Sequence, residues 1–203
     1  MIRGLFPSEI KKKTSESQKI PRGELFCGSE PGENVDYLSF PTMTCMIYKE
    51  YVIRAASNND IPAIKKIVLT CLTEYGLRFD ETGKDKDLND IEKNYLQVNG
   101  FFGVAVYTKT NHIVGTFGLC PLTPEICELR KMYLLKESRG QGVGQFILRT
   151  AIQTAKEKQY HKIFLETISP LTTAISLYKK CGFTETKPRE INERTDQAFE
   201  LYI

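Results

Sequence analysis

The stretch that decides the fold is RGQGVG, from Arg139 to Gly144. It follows the apolar strand pattern ICELRKMYL at 126–134 and opens a segment whose small and apolar residues share one helical face. Glycines allow positive φ angles and close backbone approach, and the first turn of a helix presents several free N–H groups. A strand, a glycine loop and a helix in this order predict a cradle for a phosphate or pyrophosphate group. The alternative is a tight turn that only packs a helix onto a strand.

Two common phosphate-binding loops do not fit this stretch. A P-loop needs Gly-Lys-Ser/Thr at the start of the helix, whereas Gln145 and Phe146 follow Gly144 here. A dinucleotide-binding fold needs G-x-G-x-x-G, and Gln145 stands where its third glycine would fall, although Glu166 lies about where a ribose-binding acid would be. Only 203 − 144 = 59 residues follow the loop, which is too few to complete a doubly wound sheet.

The segments on either side of the loop predict a mixed α/β domain. Upstream we expect a strand at 51–56, two helices of which the second ends near residue 96, and an antiparallel hairpin at 101–109 and 112–119. Downstream we expect a strand at 162–168, a helix at 173–180 and two closing strands, FTETK and FELYI. This order is typical of a mixed sheet with helices on its faces.

Several linked motifs resemble the GNAT superfamily of acetyl-CoA-dependent N-acetyltransferases. Arg139, Gly142 and Gly144 fill the pattern [QR]-x-x-G-x-[GA] of that family's pyrophosphate loop. The strand KMYL just upstream is similar to its fourth strand, and AISLYKKCGF at 174–183 is similar to its A-x-x-x-Y-x-x-x-G-F signature. The resemblance covers about three-quarters of the chain. It implies a mixed, mostly antiparallel sheet, flanked by helices, whose fourth and fifth strands splay apart.

The same resemblance implies how acetyl-CoA, the co-substrate, would be held. The N–H of Met132 would polarise the thioester carbonyl, Leu134 would pair with the pantetheine arm, and backbone amides of the loop would bind the pyrophosphate. The residues assigned to the cofactor are Met132, Tyr133, Leu134, Arg139, Gly140, Gln141, Gly142, Val143 and Gly144. One departure is that many members carry an Asn near the position of Leu171, where it contacts the pantetheine arm, and this chain has none. Thr167 and Thr172 are the alternatives for that polar contact, and the role of the Asn is not transferred.

Two residues are predicted to be catalytic. Glu128 is the candidate base, because period-two alternation in the strand would place it on the same face as Met132, and because histone-type members of the superfamily carry a glutamate at this distance from the loop. Its alternative role is an ion pair with Arg130. Tyr178 matches the tyrosine of the family signature, which often protonates the departing thiolate, and its alternative role is core packing with Ala174 and Leu177.

The acceptor is less clearly indicated. Residues 74–93 carry four basic and seven acidic side chains, 4 − 7 = −3, which favours a cationic amine or a basic peptide. Arg130, Arg189 and Arg194 favour a carboxylate, as an amino-acid substrate would require. We therefore expect a small amine or amino acid as acceptor. A protein lysine or N-terminal acetyltransferase is the alternative, and the intact loop argues against a catalytically silent acetyl-CoA-binding module.

Composition limits the remaining possibilities. Residues 1–23 carry six basic and two acidic side chains, 6 − 2 = +4, whereas the whole chain has a net charge of +3. Residues 24–203 therefore sum to −1 and do not indicate nucleic-acid binding. No run approaches the ~18 apolar residues of a membrane helix, and no secretory signal is recognisable. The six cysteines and two histidines lack metal-ligand spacing, so no metal is expected and the cysteines are predicted to be reduced core thiols in a cytoplasmic protein. The sequence neither favours nor excludes a homodimer.

The N-terminus differs from the rest of the chain. Residues 1–35 are rich in Lys, Ser, Glu, Gly and Pro and have no apolar period, so we predict that they are mostly disordered. We expect the apolar run at 37–48 to dock on the domain, and the sequence does not indicate how. The domain organisation predicted from these patterns is an extension at 1–49 and an N-acetyltransferase domain at 50–203.

Overall fold

The computed structural model describes residues 36–40 and 43–203 of the chain, with side chains from residue 46 onward. In that part the strands form one nine-stranded sheet in the order β1-β2-β3-β4-β5-β6-β7-β9-β8. Neighbouring strands are antiparallel except β6 and β7, which are parallel. The strands are β1 (Asp36–Phe40), β2 (Met43–Tyr48), β3 (Tyr51–Ala55), β4 (Phe101–Tyr107), β5 (His112–Pro121), β6 (Ile126–Leu134), β7 (Lys162–Thr167), β8 (Thr184–Thr186) and β9 (Gln197–Tyr202).

Four α-helices flank the described sheet: α1 (Ile61–Thr73), α2 (Ile91–Asn94), α3 (Val143–Glu157) and α4 (Thr172–Lys180). The second predicted helix is only one turn long, and short 3₁₀ helices at Lys86–Asn89 and Leu96–Val98 stand on either side of it. Asp90 begins the helix, since its side chain accepts from the N–H of Lys93. The helix ends where Tyr95 leaves the helical backbone angles, with φ −126° and ψ −55°.

Two hydrophobic cores lie on opposite faces of the sheet. In β4, Phe102, Val104 and Val106 belong to the core under α1, whereas Ala105 belongs to the core under α3 and α4. This alternation is the period of two that a strand buried on both faces shows. The predicted mixed, mostly antiparallel sheet with flanking helices is therefore confirmed.

The sheet begins earlier than the sequence predicted. Strand β2 pairs with β3 through a tight turn at Lys49 and Glu50, with Tyr48 opposite Tyr51. A domain boundary at residue 50 would divide this hairpin, because the apolar run at 43–48 buries Met46 and Tyr48 in the core under α3. The disorder predicted for residues 1–35 lies outside the described residues, and the division into extension and domain stays a prediction.

Candidate active site

The strands β6 and β7 separate after a short stretch of pairing. Only three residue pairs join them, and the last is Glu128 with Phe164. Beyond it the other edge of β7 continues to pair with β9, while β6 runs on to Leu134 with β5 alone as its neighbour. Leu135 donates its N–H to Val114 of β5, so the amide of Leu134, one residue earlier, faces the open side. The predicted splay of the family's fourth and fifth strands, β6 and β7 here, is confirmed.

A β-bulge in β6 corrects one argument made from the sequence. Lys131 has a φ of +54°, and the register with β5 shifts by one residue around it. Met132 therefore packs on the core under α3 and α4, together with Cys127 and Leu129. Glu128 lies between Cys127 and Leu129 in the strand and points to the opposite face. The expectation that Glu128 and Met132 share a face is wrong, because the extra residue in the bulge reverses the alternation.

The glycine loop has the backbone that its sequence indicated. Gly140 and Gly142 have φ angles of +74° and +86°, and helix α3 begins directly after them at Val143. A Cβ at Gly142 would overlap the hydroxyl of Tyr48, whereas a Cβ at Gly140 would stand in open space. The loop thus leaves room in front of the first turn of α3, where backbone N–H groups are free to meet an anion.

The loop is braced by the β2–β3 hairpin. The Tyr48 hydroxyl and the Lys49 ammonium each lie 3.4 Å from the carbonyl oxygen of Gln141, and the Tyr51 hydroxyl donates to its side-chain oxygen at 3.1 Å. The Gln141 amide nitrogen donates in turn to the Glu137 carbonyl at 2.9 Å. Sequence reasoning missed Tyr48 and Tyr51, since about 90 residues separate them from the loop.

The side chain of Arg139, one of the residues assigned to the cofactor, is held by contacts within the protein. Its guanidinium forms an ion pair with Glu74 at 2.6 Å, and its Nε donates to the carbonyl oxygen of Leu134 at 2.9 Å. The hydrogen bond to Glu74 raises the pKa of Arg139. The side chain therefore ties the end of helix α1 to the end of β6.

Glu128 lies where the two strands part, and it is buried. Its Oε2 accepts from Arg130 at 2.8 Å, and its Oε1 lies 2.8 Å from Nη2 of Arg189, in the loop between β8 and β9. The ion pair with Arg130 is the alternative role that the sequence suggested, whereas Arg189 was not foreseen as a partner of Glu128. Both carboxylate oxygens of Glu128 therefore contact a guanidinium.

Comparison with known proteins identifies the family. The family model described as Acetyltransferase (GNAT) family matches residues 64–183, more than half of the chain. The chain belongs to the GNAT family. The uncharacterized N-acetyltransferase YjgM of Escherichia coli is 35% identical over 137 residues, which are 65% of this chain and 81% of that protein. The resemblance inferred from the loop and the closing helix is confirmed.

Solved structures agree with this assignment. A GNAT-family acetyltransferase from Staphylococcus aureus Mu50 superposes with a TM-score of 0.69 at 27% identity, over 75% of this chain and 98% of that one. The acetyltransferase yncA of Salmonella typhimurium, solved with its cofactor acetyl-CoA, shares the fold with a TM-score of 0.62 at 17% identity, over 76% and 94%. Acetyl-CoA is the co-substrate of the GNAT family.

In this GNAT chain a charged network covers the face of β6 that carries Glu128. Asp85 is fully buried and accepts from Arg194 at 2.9 and 3.1 Å and from Lys131 at 2.5 Å. Asp87 lies 3.3 Å from Lys131 and accepts from the Tyr95 hydroxyl. The network contains four acids and four bases, so its formal charges cancel: Asp85, Asp87, Glu128 and Glu166 with Arg130, Lys131, Arg189 and Arg194.

The network also joins two loops that are distant in sequence. Asp85 and Arg194 connect the loop after α1 to the loop between β8 and β9, and Lys84 donates to Asn192 at 2.6 Å in a second link. Lys131 is bound to Asp85 and to the carbonyl oxygen of Lys84 at 2.8 Å. Its side chain is therefore covered, with 8% of it exposed, while Arg130 and Arg189 stay partly exposed.

Tyr178 occupies the position that the GNAT signature predicts on α4. Its ring lies 5.9 Å from that of Phe183 and 6.2 Å from that of Phe199, centroid to centroid, so it also takes part in the core. Burial raises the pKa of Tyr178 to about 12, which keeps the phenol protonated at neutral pH. Its hydroxyl makes no hydrogen bond within the described residues. Leu177, its neighbour, faces Gly144 at the start of α3.

The other expectations concern metals, thiols and membranes. Across residues 36–40 and 43–203 there is no group of three or more His, Cys, Asp or Glu side chains placed to hold a metal ion. The described cysteines Cys71, Cys120 and Cys127 are free thiols, and Cys71 and Cys127 are buried. None of the helices that the structure describes has the length and apolar character needed to cross a membrane.

Proposed function

We propose that this GNAT enzyme transfers the acetyl group of acetyl-CoA to the primary amine of a small molecule, by direct attack of the amine. The choice of a small acceptor rests on the ion pair between Asp85 and Arg194. This ion pair joins the loop after α1 to the loop between β8 and β9. In this proposal the joined loops block one end of the Glu128 face of β6, so that the acceptor enters a recess rather than a groove through which a polypeptide would pass.

The open edge of β6 and the glycine loop support the binding of acetyl-CoA. In this proposal the Met132 N–H polarises the thioester carbonyl and Leu134 pairs with the pantetheine arm. The loop amides from Gly140 to Gly144 bind the pyrophosphate, aided by the partial positive charge of the α3 N-terminus. The splay of β6 from β7 leaves an edge for the first two contacts, and the open space at Gly140 accommodates the third.

Proton transfers require two further groups. An alkylammonium with a pKa near 10.4 is neutral in only about one molecule in a thousand at pH 7.4, so a base increases the reactive fraction. We propose Glu128 as that base, acting through water. Arg189 is the more exposed of its two partners, with 46% of its side chain accessible against 34% for Arg130, and so it has more room to turn away. Tyr178 is proposed to protonate the thiolate.

A thiol-release assay tests this function. Acetyl-CoA is supplied with a panel of small amines, free amino acids and lysine-containing or N-terminal peptides, and CoA release is followed together with the mass of the acceptor. We expect kcat/KM to be highest for a small amine and at least about tenfold lower for peptides that present the same amine. Faster acetylation of peptides would instead support a protein lysine or N-terminal acetyltransferase. If no acceptor stimulates CoA release, both the small-molecule and the protein acetyltransferase functions are contradicted.

A further inference from the structure

We infer that the acceptor is an amine that also carries a free carboxylate, an amino acid, and that Arg189 selects it by binding that carboxylate. The inference rests on the proposed function and specifies its acceptor. Of the three arginines that the sequence offered for a carboxylate, the structure distinguishes one by exposure, by position and by its unused hydrogen-bond donors.

Arg194 is the least suited of the three. Its side chain is 11% exposed, and two of its nitrogens are bound to the fully buried Asp85. Arg130 is 34% exposed and is held between Glu128 and Asp87, at 2.8 and 3.7 Å. Arg194 therefore connects the two loops, and Arg130 lies in the floor of the recess.

Arg189 has donors available at the open end of the recess. Its Nη2 contacts both Glu128 and Glu166, at 2.8 and 3.1 Å, while its Nε and Nη1 make no hydrogen bond to any residue that the structure describes. The guanidinium lies over the ring of Phe164, 4.9 Å from its centroid. Phe164 and Glu128 form the last pair before β6 and β7 separate, so the Arg189 guanidinium lies beside the point where the strands open.

The charges around Arg189 fit a zwitterion better than a cation. Glu128 and Glu166 lie next to Arg189 and Arg130, so opposite charges stand side by side at the partly exposed end of the recess. An amino acid presents an ammonium and a carboxylate that match this pattern, and a planar guanidinium binds a carboxylate through two parallel hydrogen bonds. A polyamine would place further positive charge beside two arginines.

The test compares amino acids with their amides. The wild-type enzyme is assayed with acetyl-CoA and the natural L-amino acids, β-alanine and γ-aminobutyrate, each paired with the corresponding carboxamide, which keeps the amine and removes the negative charge. Arg189→Gln and Arg189→Lys are assayed in the same way. Arg149→Gln, which makes the same chemical change at an exposed position of α3, is the matched control.

We expect wild-type kcat/KM to favour the best amino acid over its amide by about 10- to 100-fold, the range of a charge-assisted pair. Arg189→Gln should abolish that preference through KM, Arg189→Lys should restore part of it, and Arg149→Gln should keep it. Equal or better use of the amides by the wild type, or an unchanged preference in Arg189→Gln, would overturn the inference while amine acetylation still stands. Failure with every amine would overturn the proposed function as well.

Discussion

Asp85 and Arg194 meet across 109 positions of sequence, and their contact joins the loop after α1 to the loop between β8 and β9. The carboxylate of Asp85 is fully buried and accepts from two guanidinium nitrogens, from Lys131 and from the Asp80 amide. Two loops that the sequence presents as polar and irregular are thus fixed to each other by a buried ion pair. Removing one partner leaves the other charge without compensation.

Asp85→Asn should lower the free energy of unfolding by about 3–5 kcal/mol, because it leaves Arg194 and Lys131 buried without their shared acid. Urea unfolding measures the loss. Glu50→Gln, which removes the exposed pair with Lys109, is the control and should change stability little. If Asp85→Asn unfolds at the same urea concentration as the wild type, this pair does not stabilise the fold.

The same residue predicts a pH dependence of stability. Burial alone would raise the pKa of Asp85, but hydrogen bonds from Arg194, the Asp80 amide and Lys131 outweigh it and hold that pKa below its ordinary value. A carboxylate with a lowered pKa stabilises the fold above its unfolded-state pKa of about 3.9, and the stability is lost as the pH falls toward the lowered value. Below about pH 4 the wild type should lose stability faster than Asp85→Asn, and parallel curves would refute this.

Gly140→Asp should weaken acetyl-CoA binding by about tenfold or more in calorimetry, because it adds a negative charge beside the proposed pyrophosphate site. Gly76→Asp is a matched control. Gly76 has a φ of +69° and, like Gly140, open space at its Cβ, so the two variants share the same backbone strain. Equal affinity in both variants would show that the loop does not bind the pyrophosphate. Gly142 is unsuitable for this test, since a side chain there would meet Tyr48.

Glu128→Gln should lower kcat by about 10²–10⁴-fold at neutral pH, because the amide cannot accept the proton of the ammonium. Raising the pH toward 9 should restore part of the rate, since more of the amine is then neutral. Glu166→Gln, which changes the neighbouring acid, should show no such rescue. A Glu128→Gln enzyme with the wild-type kcat from pH 7 to 9 would reduce Glu128 to an ion-pair partner of Arg130 and Arg189.

Tyr178→Phe should lower kcat by about 10²-fold without rescue at high pH, because it removes the proton donor for the thiolate. The fold should tolerate the change, since the ring contacts with Phe183 and Phe199 remain and the hydroxyl has no hydrogen-bond partner among the described residues. Thermal unfolding serves as the check. Full activity in an unchanged fold would mean that Tyr178 contributes only to core packing.

Truncation separates the N-terminal segment from the hairpin that braces the loop. A chain that begins at residue 36 should keep its affinity for acetyl-CoA, whereas one that begins at residue 50 should bind several-fold more weakly, since it lacks Tyr48 and Lys49. Tyr51→Phe, which removes only the hydrogen bond to Gln141, should cost about fivefold. Loss of turnover on removing residues 1–35, with thermal unfolding unchanged, would place that segment in the site.

The sequence by itself determined the order of the main elements from β3 onward and the position of the loop, since both depend on local patterns. Period-two strands, helical faces and glycines at positive φ are properties of short segments, and the motifs around Gly142 and Tyr178 were enough to name the family. Tertiary structure alone decided the contacts between distant segments: Tyr48 with Gln141, Asp85 with Arg194, and Glu128 with Arg189. Such pairs depend on which strands become neighbours. A single extra residue at the Lys131 bulge also reversed the faces of β6, and the alternation of residues in the sequence does not reveal such a bulge.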